Sequence, residues 1–243
     1  KEADSELPEI IIGMDYFEPY SYQASDGKYK GIDVELAKEA FQRLGYQPKF
    51  ENIVWEDKDE LLADGTVDCL WSSYSMNGRE DKYQWAGPYL YSRQMVVVKN
   101  ESEIQTLSDL KGKRIAVQAT TKAEDLFLHN IKSDLPQMQQ VNCFSTTNEI
   151  YAALRKSYVD AIAGHEAMLG SLVKEGKDAY RMLDESIYKS ELGVAFKKGT
   201  HEEVATDLTE TLKKLQREGI TEKIVTKYGL DADEILPEGE QNE

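Results

Sequence analysis

The stretch VDCLWSSYSMNGRED, residues 67–81, sets one apolar run directly before a polar loop. Residues 67–71 are apolar and aromatic enough to predict a buried strand, and the serines after them place small hydroxyl groups at its end. Further β-rich runs occupy residues 9–14, 49–54, 95–98, 114–118, 139–144 and 192–196. Helical periodicity lies between these runs. The alternation predicts an α/β fold of βα units that build a mostly parallel sheet.

Two helical patterns are especially clear. After the first strand, apolar residues are spaced three, four and three apart, with a glycine where a C-terminal cap belongs: Val34, Ala37, Phe41, Leu44, Gly45. Near the end of the chain a second stripe precedes another glycine and a short helix through Tyr228: Val204, Leu208, Leu212, Leu215, Gly219. The acidic ends, residues 1–6 and 231–243, are interpreted as tethers or frayed tails.

Length and charge restrict the function classes. The 243 residues suit two lobes of a hundred-odd residues better than one compact domain. A formal net charge of -16 repels nucleic acid and anionic lipid surfaces, so neither is expected as a partner. No apolar run is long enough to span a membrane, and no signal sequence opens the chain, which indicates a removed signal or a trimmed ectodomain.

Nothing in the sequence predicts a metal, a cofactor or a catalytic group. Cys69 and Cys143 have no CxxC partner, and the three histidines are too far apart for a helical metal motif. The two cysteines are assigned to strands of different lobes. We therefore expect no disulfide between them and expect both to be buried thiols.

Six motifs occur in a familiar order, and the chain resembles the family 3 amino-acid-binding proteins of bacterial ABC uptake systems. The motifs are GMDYFEPYSY (13–22), GIDVELAKEAFQRLG (31–45), the opening stretch with YQWAGPYLYSRQMVVV (67–81 and 83–98), LSDLKGKRIAVQATT (107–121), YVDAIAGHE (158–166) and LGVAFKKG (192–199). The resemblance implies a type II periplasmic-binding-protein fold with a two-strand hinge. Lobe 1 would hold residues 1–96 and 192–243, and lobe 2 residues 97–191. Such proteins close around a small ligand.

The resemblance also implies an anion clamp. Family members hold the ligand's α-carboxylate with an arginine just after the serine-rich strand, here Arg79 after Ser73 and Ser75. A planar guanidinium fork matches the two carboxylate oxygens. The interval from Ser75 to Arg79 is one residue shorter than the common family spacing. The alternative is a surface arginine paired with Glu80 or Asp81.

From lobe 2 the resemblance implies a turn that opens a helix, formed by Gln118, Ala119, Thr120 and Thr121. Thr121 with Glu124 fits a capping box, so free backbone N–H groups are expected there. The alternative is that Thr121 only caps the helix. Ala119 replaces a family glycine, which would restrict a positive φ if the turn needs one at that residue.

The resemblance places the loop after the first strand in lobe 1 and implies that it contacts the ligand's side chain and ammonium group. This loop carries Asp15, Tyr16, Phe17 and Glu18 and follows the carboxyl end of a strand, where open α/β sheets bind ligands. Aromatic contacts are equally expected from Trp55 and Tyr74. Ordinary core packing is the alternative for Phe17, Trp55 and Tyr74.

The motif at residues 158–166 departs from the family, because His165 stands where relatives commonly present an ammonium-binding aspartate. A neutral imidazole could accept from an ammonium or donate to a carbonyl or carboxylate. The alternative is a histidine satisfied by neighbouring protein groups. Glu166 is only a possible substitute for the aspartate.

Three functions fit these observations. The first is a transport receptor that passes an amino-acid-like ligand to a membrane permease, acting outside the cytoplasm as a monomer, either free or attached by a lipid or transmembrane anchor. The second is the ligand-sensing ectodomain of a histidine kinase or diguanylate cyclase, indicated by SMNGRED (75–81) and His165. The third is an enzyme similar to cyclohexadienyl dehydratases, with Glu18, His165 or Glu166 as its acid. We expect the first function and no catalysis.

Overall fold

The structure, a computed structural model, describes residues 6–132 and 134–238. These residues form two compact units. Unit 1 comprises residues 6–15, 20–91 and 191–238, and unit 2 comprises residues 16–19, 92–132 and 134–190. The lobe boundaries given above from the sequence stay a prediction.

Strands and helices alternate through most of the chain. The strands are β1 (Glu9–Met14), β2 (Tyr22–Gln23), β3 (Tyr29–Lys30), β4 (Gln47–Asn52), β5 (Cys69–Ser75), β6 (Tyr83–Lys99), β7 (Arg114–Gln118), β8 (Gln140–Phe144), β9 (Ala161–His165), β10 (Tyr180–Met182) and β11 (Tyr188–Lys197). The helices are α1 (Ile32–Arg43), α2 (Lys58–Asp64), α3 (Lys122–Phe127), α4 (Thr147–Arg155), α5 (Glu166–Glu175), α6 (Glu202–Arg217), α7 (Ile220–Lys227) and α8 (Ala232–Ile235). The predicted α/β class with a mostly parallel sheet is confirmed.

In unit 1 the strand order is β4-β1-β5-β11, with β11 antiparallel to β5 and the other pairs parallel. Helix α1 buries its apolar stripe, including Val34, Ala37 and Phe41, at 1% exposure or less. It ends as its sequence predicts, since Gly45 has a left-handed φ of 80°. The carboxyl ends of β1 and β5 lie side by side, so the loops that follow them are neighbours.

In unit 2 the strand order is β6-β9-β7-β8, and β10 pairs with the other edge of β6. Strands β9, β7 and β8 are parallel, so their carboxyl ends share one edge. The core between this sheet and its helices contains Val96, Ile115, Val117, Leu126 and Phe127, each less than 5% exposed. Burial of this size stabilises the unit by roughly 1.5–3 kcal/mol per large side chain. The chain passes from unit 1 to unit 2 within β6 and returns within β11.

Some predicted boundaries were wrong. Strand β6 begins at Tyr83 rather than at residue 95, and β11 begins at Tyr188 rather than at residue 192. Polar and glycine residues in these extensions hid them, because such residues are depleted in strands. The predicted tail from residue 231 contains α8, capped by the Asp231 carboxylate, which accepts from the Asp233 N–H. Residues 1–5 and 239–243 of the predicted tethers lie outside the described residues.

Cys69 and Cys143 are not joined by a disulfide in the structure. Cys69 is buried, and burial raises its pKa well above the usual range. The expectation that Cys143 is also buried was wrong, since it is exposed. Cys143 lies on β8, an edge strand of unit 2.

Candidate functional site

Four consecutive residues at the end of β5, Ser72 to Ser75, are buried. Ser73 has a φ of 44°, a left-handed conformation that interrupts the strand. The pairing of β5 with β11 shifts register beside this residue. The Oγ atoms of Ser73 and Ser75 are buried and have no hydrogen-bond partner among the described residues. Two hydroxyl groups therefore remain able to bind a polar group.

Asp15 follows β1 next to this serine-rich segment. Its backbone N–H donates to the Ser72 Oγ (3.2 Å), and its carbonyl oxygen accepts from the Ser21 hydroxyl (2.9 Å). The Ser21 and Ser72 hydroxyls are 2.8 Å apart. Asp15 is 9% exposed, so its backbone is held firmly beside the end of β5.

Arg79 lies one turn beyond β5. Its Cζ atom is 5.1 Å from the centre of the Tyr74 ring, and its Nη1 donates to the Ser75 carbonyl oxygen (3.1 Å). The indole N–H of Trp85 donates to the Arg79 carbonyl oxygen (2.9 Å), which fixes the backbone of this turn. Arg79 is thus stacked on an aromatic ring beside Ser75, a geometry that favours guanidinium over ammonium.

Trp55 packs edge-on against Tyr74, with ring centres 5.0 Å apart, and each is less than 5% exposed. Lys58 completes this cluster, with its Nζ 5.4 Å from the Trp55 ring centre and 5.8 Å from that of Tyr74. Lys58 is only 3% exposed. Its burial is not evident from the sequence, because a lysine among acidic residues at a helix start predicts an exposed side chain.

In unit 2 the turn after β7 has an unexpected form. Thr120 has a φ of 59° and donates its N–H to the Glu124 Oε2 (2.8 Å), while the Thr121 hydroxyl donates to the Gln118 carbonyl oxygen (2.7 Å). The predicted capping box of Thr121 with Glu124 was wrong, because the left-handed Thr120 turns its own N–H toward the carboxylate. The positive φ falls at Thr120 rather than at Ala119.

This turn is anchored to the neighbouring strand. Gln118 donates from Nε2 to the Ser145 carbonyl oxygen (2.9 Å), and the Ala119 N–H donates to the Phe144 carbonyl oxygen (2.8 Å). The Thr120 Oγ1 is buried without a hydrogen-bond partner among the described residues. Lys122, two residues after Thr120, is 3% exposed, with its Nζ 3.4 Å from an Asp125 carboxylate oxygen.

His165 ends β9 and precedes α5, and it is 6% exposed. Its Nδ1 lies 2.8 Å from the Ser92 Oγ and 3.2 Å from the Gln94 Nε2. An amide Nε2 only donates, so Nδ1 accepts and the neutral ring carries its proton on Nε2. No local sequence pattern identifies Ser92 and Gln94 as neighbours of His165, because only strand pairing brings them beside it. Glu166 forms a two-bond ion pair with Arg93 (2.8 and 2.5 Å).

The loop after β1 divides between the units. Asp15 belongs to unit 1, but residues 16–19 pack with unit 2, contrary to the assignment of the whole loop to lobe 1. The Thr147 hydroxyl donates to the Tyr16 carbonyl oxygen (3.4 Å). Phe17 is 3% exposed, and Glu18 is half-buried and accepts from the Tyr16 hydroxyl (2.9 Å).

One group of side chains in the described part of the chain has a spacing that a metal ion could use, Glu124, Asp125 and His129. Its candidate ligand atoms lie within 4.8 Å of one another. The Glu124 carboxylate already accepts from Thr120, Asp125 pairs with Lys122, and His129 is exposed. These contacts account for the two carboxylates without a metal ion.

Comparison with known proteins places these residues in a family. The model of the family "Bacterial extracellular solute-binding proteins, family 3" matches residues 10–231, and the chain belongs to this family. Among the described residues, we find no helix with the length and apolar character to cross a bilayer.

Relatives and solved structures agree with this assignment. The L-cystine-binding protein TcyJ of Escherichia coli (strain K12) is 27% identical over 90% of this chain and 82% of its own length. The L-cystine-binding protein TcyA of Bacillus subtilis (strain 168) is 26% identical over 87% of this chain and 77% of its own. The substrate-binding protein of an ABC uptake transporter from Streptococcus pneumoniae, solved with bound histidine, is 26% identical with a TM-score of 0.83, covering 92% and 93% of the two chains. The predicted type II periplasmic-binding-protein fold is therefore confirmed.

Proposed function

We propose that this protein is an extracytoplasmic receptor that binds an amino acid and delivers it to the permease of an ABC uptake transporter. Family membership and the relatives that bind L-cystine and histidine support this function. These relatives are binding proteins, and we infer binding without chemical turnover. The relatives do not favour a sensor ectodomain.

The observation that carries the proposal is the group formed by Arg79, Ser73 and Ser75. Ser73 and Ser75 stand at alternate positions of β5, and their buried hydroxyls have no hydrogen-bond partner among the described residues. The Arg79 guanidinium donates to the Ser75 carbonyl oxygen. Hydroxyl donors beside a guanidinium suit a carboxylate, because each hydrogen bond to a charged group contributes roughly 1.5–3 kcal/mol. We propose that this group binds the ligand's α-carboxylate.

Aromatic rings and the unit 2 turn would supply the remaining contacts. In unit 1 we propose contacts from Asp15, Trp55 and Tyr74. In unit 2 the proposed contacts are Phe17, Glu18, Gln118, Thr120, Thr121 and His165. The buried Oγ1 of Thr120 supports its assignment, since a buried hydroxyl is normally hydrogen-bonded.

His165 narrows the ligand's chemistry. With Nδ1 accepting from Gln94, the ring offers an N–H donor, so the group it binds would be a carbonyl or carboxylate rather than an ammonium. We expect His165→Asp, which replaces a donor by an acceptor, to weaken binding at least about tenfold. Calorimetric titration measures this. Stronger binding of α-amino acids by His165→Asp would instead identify an ammonium partner.

A thermal-shift screen tests the function itself. We would measure Tm with each of the common L-amino acids, L-cystine, their amides and small dicarboxylates. A ligand that binds only the native state stabilises it by about 2.7 kcal/mol at one hundred times its Kd. One or a few α-amino acids should raise Tm by several degrees, with calorimetry giving one site per chain. No shift with any α-amino acid, together with a shift from a ligand lacking a carboxylate, would refute the proposal.

A further inference from the structure

Left-handed backbone conformations outside glycine are rare in this protein and unevenly placed. Seven non-glycine residues in the described part of the chain have a positive φ. Five of them are exposed loop residues: Asn130, Ser157, Lys177, Asp178 and His201. The other two, Ser73 and Thr120, are at least half-buried and lie in the two groups of proposed ligand contacts. Threonine is a poor residue for this conformation, because its branched Cβ clashes with the backbone.

In unit 1 a buried carboxylate holds the left-handed residue. The Ser73 N–H donates to the Asp33 Oδ2 (2.7 Å), and the Tyr89 hydroxyl donates to the Asp33 Oδ1 (2.8 Å). Asp33 is 1% exposed and lies in the first turn of α1, where its own N–H donates to the Tyr20 carbonyl oxygen. Burial of a carboxylate is costly and persists only where its hydrogen bonds compensate.

In unit 2 the same arrangement recurs with different residues. The Thr120 N–H donates to the Glu124 Oε2 (2.8 Å), and Glu124 is held in the first turn of α3. In both units the residue with the positive φ carries a buried side-chain oxygen with no partner among the described residues. Ser73 and Thr120 thus share two features. The backbone N–H of each donates to a carboxylate, and the hydroxyl of each has no hydrogen-bond partner among the described residues.

We propose that Asp33 and Glu124 are positioning residues that hold Ser73 and Thr120 in left-handed conformations, so that the hydroxyls of these two residues are directed to the ligand. The inference rests on the proposed function. A residue in the ordinary extended conformation would point its side chain to the opposite face, so the carboxylates control where the hydroxyls lie. Neither carboxylate contacts the ligand in this proposal.

Four single variants test it. Asp33→Asn and Glu124→Gln keep the side-chain size but remove the charge that the N–H groups bind, and each should weaken binding about tenfold. Tyr89→Phe and His129→Ala are matched controls, because each removes a different neighbour of the same carboxylate and leaves the Ser73 or Thr120 bond in place. The controls should bind within about twofold of the original protein. The titrant is the L-amino acid with the largest thermal shift in the screen above.

Double variants separate positioning from general damage. Glycine adopts a positive φ without help, so Ser73→Gly should make binding insensitive to Asp33→Asn, and Thr120→Gly should do the same for Glu124→Gln. If Asp33→Asn or Glu124→Gln weakens binding equally in both backgrounds, the carboxylate does not act through that residue and the inference fails.

An amide signal provides a readout that needs no ligand. The Ser73 N–H resonance should lie far downfield, as expected for a bond to a carboxylate, and should lose that position in Asp33→Asn but not in Tyr89→Phe. Burial raises the pKa of Asp33 to about 7, with the Tyr89 hydroxyl and the Ser73 N–H as the groups that face it. The signal should therefore move between pH 6 and 8 in the original protein but not in Asp33→Asn. An unchanged Ser73 resonance in Asp33→Asn overturns the inference even if amino-acid binding is confirmed, whereas the expected shift without amino-acid binding refutes only the proposed function.

Discussion

Removal of the Arg79 guanidinium should weaken ligand binding with little effect on the fold. The side chain donates a hydrogen bond to the Ser75 carbonyl oxygen, at 3.1 Å, and stacks on Tyr74 at 5.1 Å. A stacked cation contributes about 0.5–1 kcal/mol at a partly exposed position, so the free energy of unfolding should fall by about that amount in Arg79→Ala. Loss of a charge-assisted fork to a carboxylate costs more, roughly 1.5–3 kcal/mol per bond, which predicts at least a tenfold increase in Kd.

Isothermal titration with the ligand from the thermal screen measures this change. Arg79→Lys keeps the charge but loses the planar fork, and we expect it to bind more weakly than the original protein and more tightly than Arg79→Ala. Arg217→Ala, which removes an exposed arginine at the end of α6, is the matched control and should leave Kd unchanged. A folded Arg79→Ala protein with the original Kd would remove Arg79 from the site and undermine the assignment of Ser73 and Ser75.

Three further outcomes are expected. Cys143 should react with a thiol reagent in the native protein and Cys69 only after unfolding, because Cys69 is buried and its pKa is raised. Mass spectrometry after brief labelling measures the two rates, and equal rates would contradict the prediction. Leu208→Ala should destabilise unit 1 by about 2–5 kcal/mol in denaturant unfolding, since Leu208 is fully buried, and a loss below about 1 kcal/mol would mean that α6 repacks. The pKa of Asp160 is lowered chiefly by its hydrogen bond to Arg114, so this pair stabilises the folded state above pH about 4 and the stabilisation is lost as pH falls through the lowered pKa. In unfolding experiments Asp160→Asn should therefore lose less stability below pH 4 than the original protein does. The difference should be about 1 kcal/mol or less, because the pair is partly exposed.

The fold was predictable wherever one side-chain pattern dominates. Helix α1 follows from apolar spacing and Gly45, and β1 and β7 were predicted with their observed bounds. Local patterns fail where tertiary pairing decides, as in the 17-residue β6, whose first half contains glycine and proline. A strand of that composition gains its hydrogen bonds from neighbours that are distant in the sequence.

The candidate site was harder to predict at its supporting residues. Serines after a strand and an arginine one turn later are visible in the sequence, and the structure keeps Ser75 and Arg79 in contact. The support from Asp33 to Ser73 joins residues 40 positions apart, and no local pattern predicts it. Lys58 is a case in which local composition is misleading. Its acidic neighbours predict an exposed lysine, whereas the aromatic cluster buries it.

The order in which the two units can be completed follows from the position of β11 beside β5. All four strands of the unit 2 order β6-β9-β7-β8 lie before residue 166, whereas β5 obtains its antiparallel partner only from Tyr188–Lys197. During synthesis from the amino terminus, the four strands of this unit 2 order are therefore all present before unit 1 receives its last strand, β11. Until then β5, whose seven residues are all buried in the finished protein, has an open edge. Fragments that end before residue 188 should aggregate through this edge.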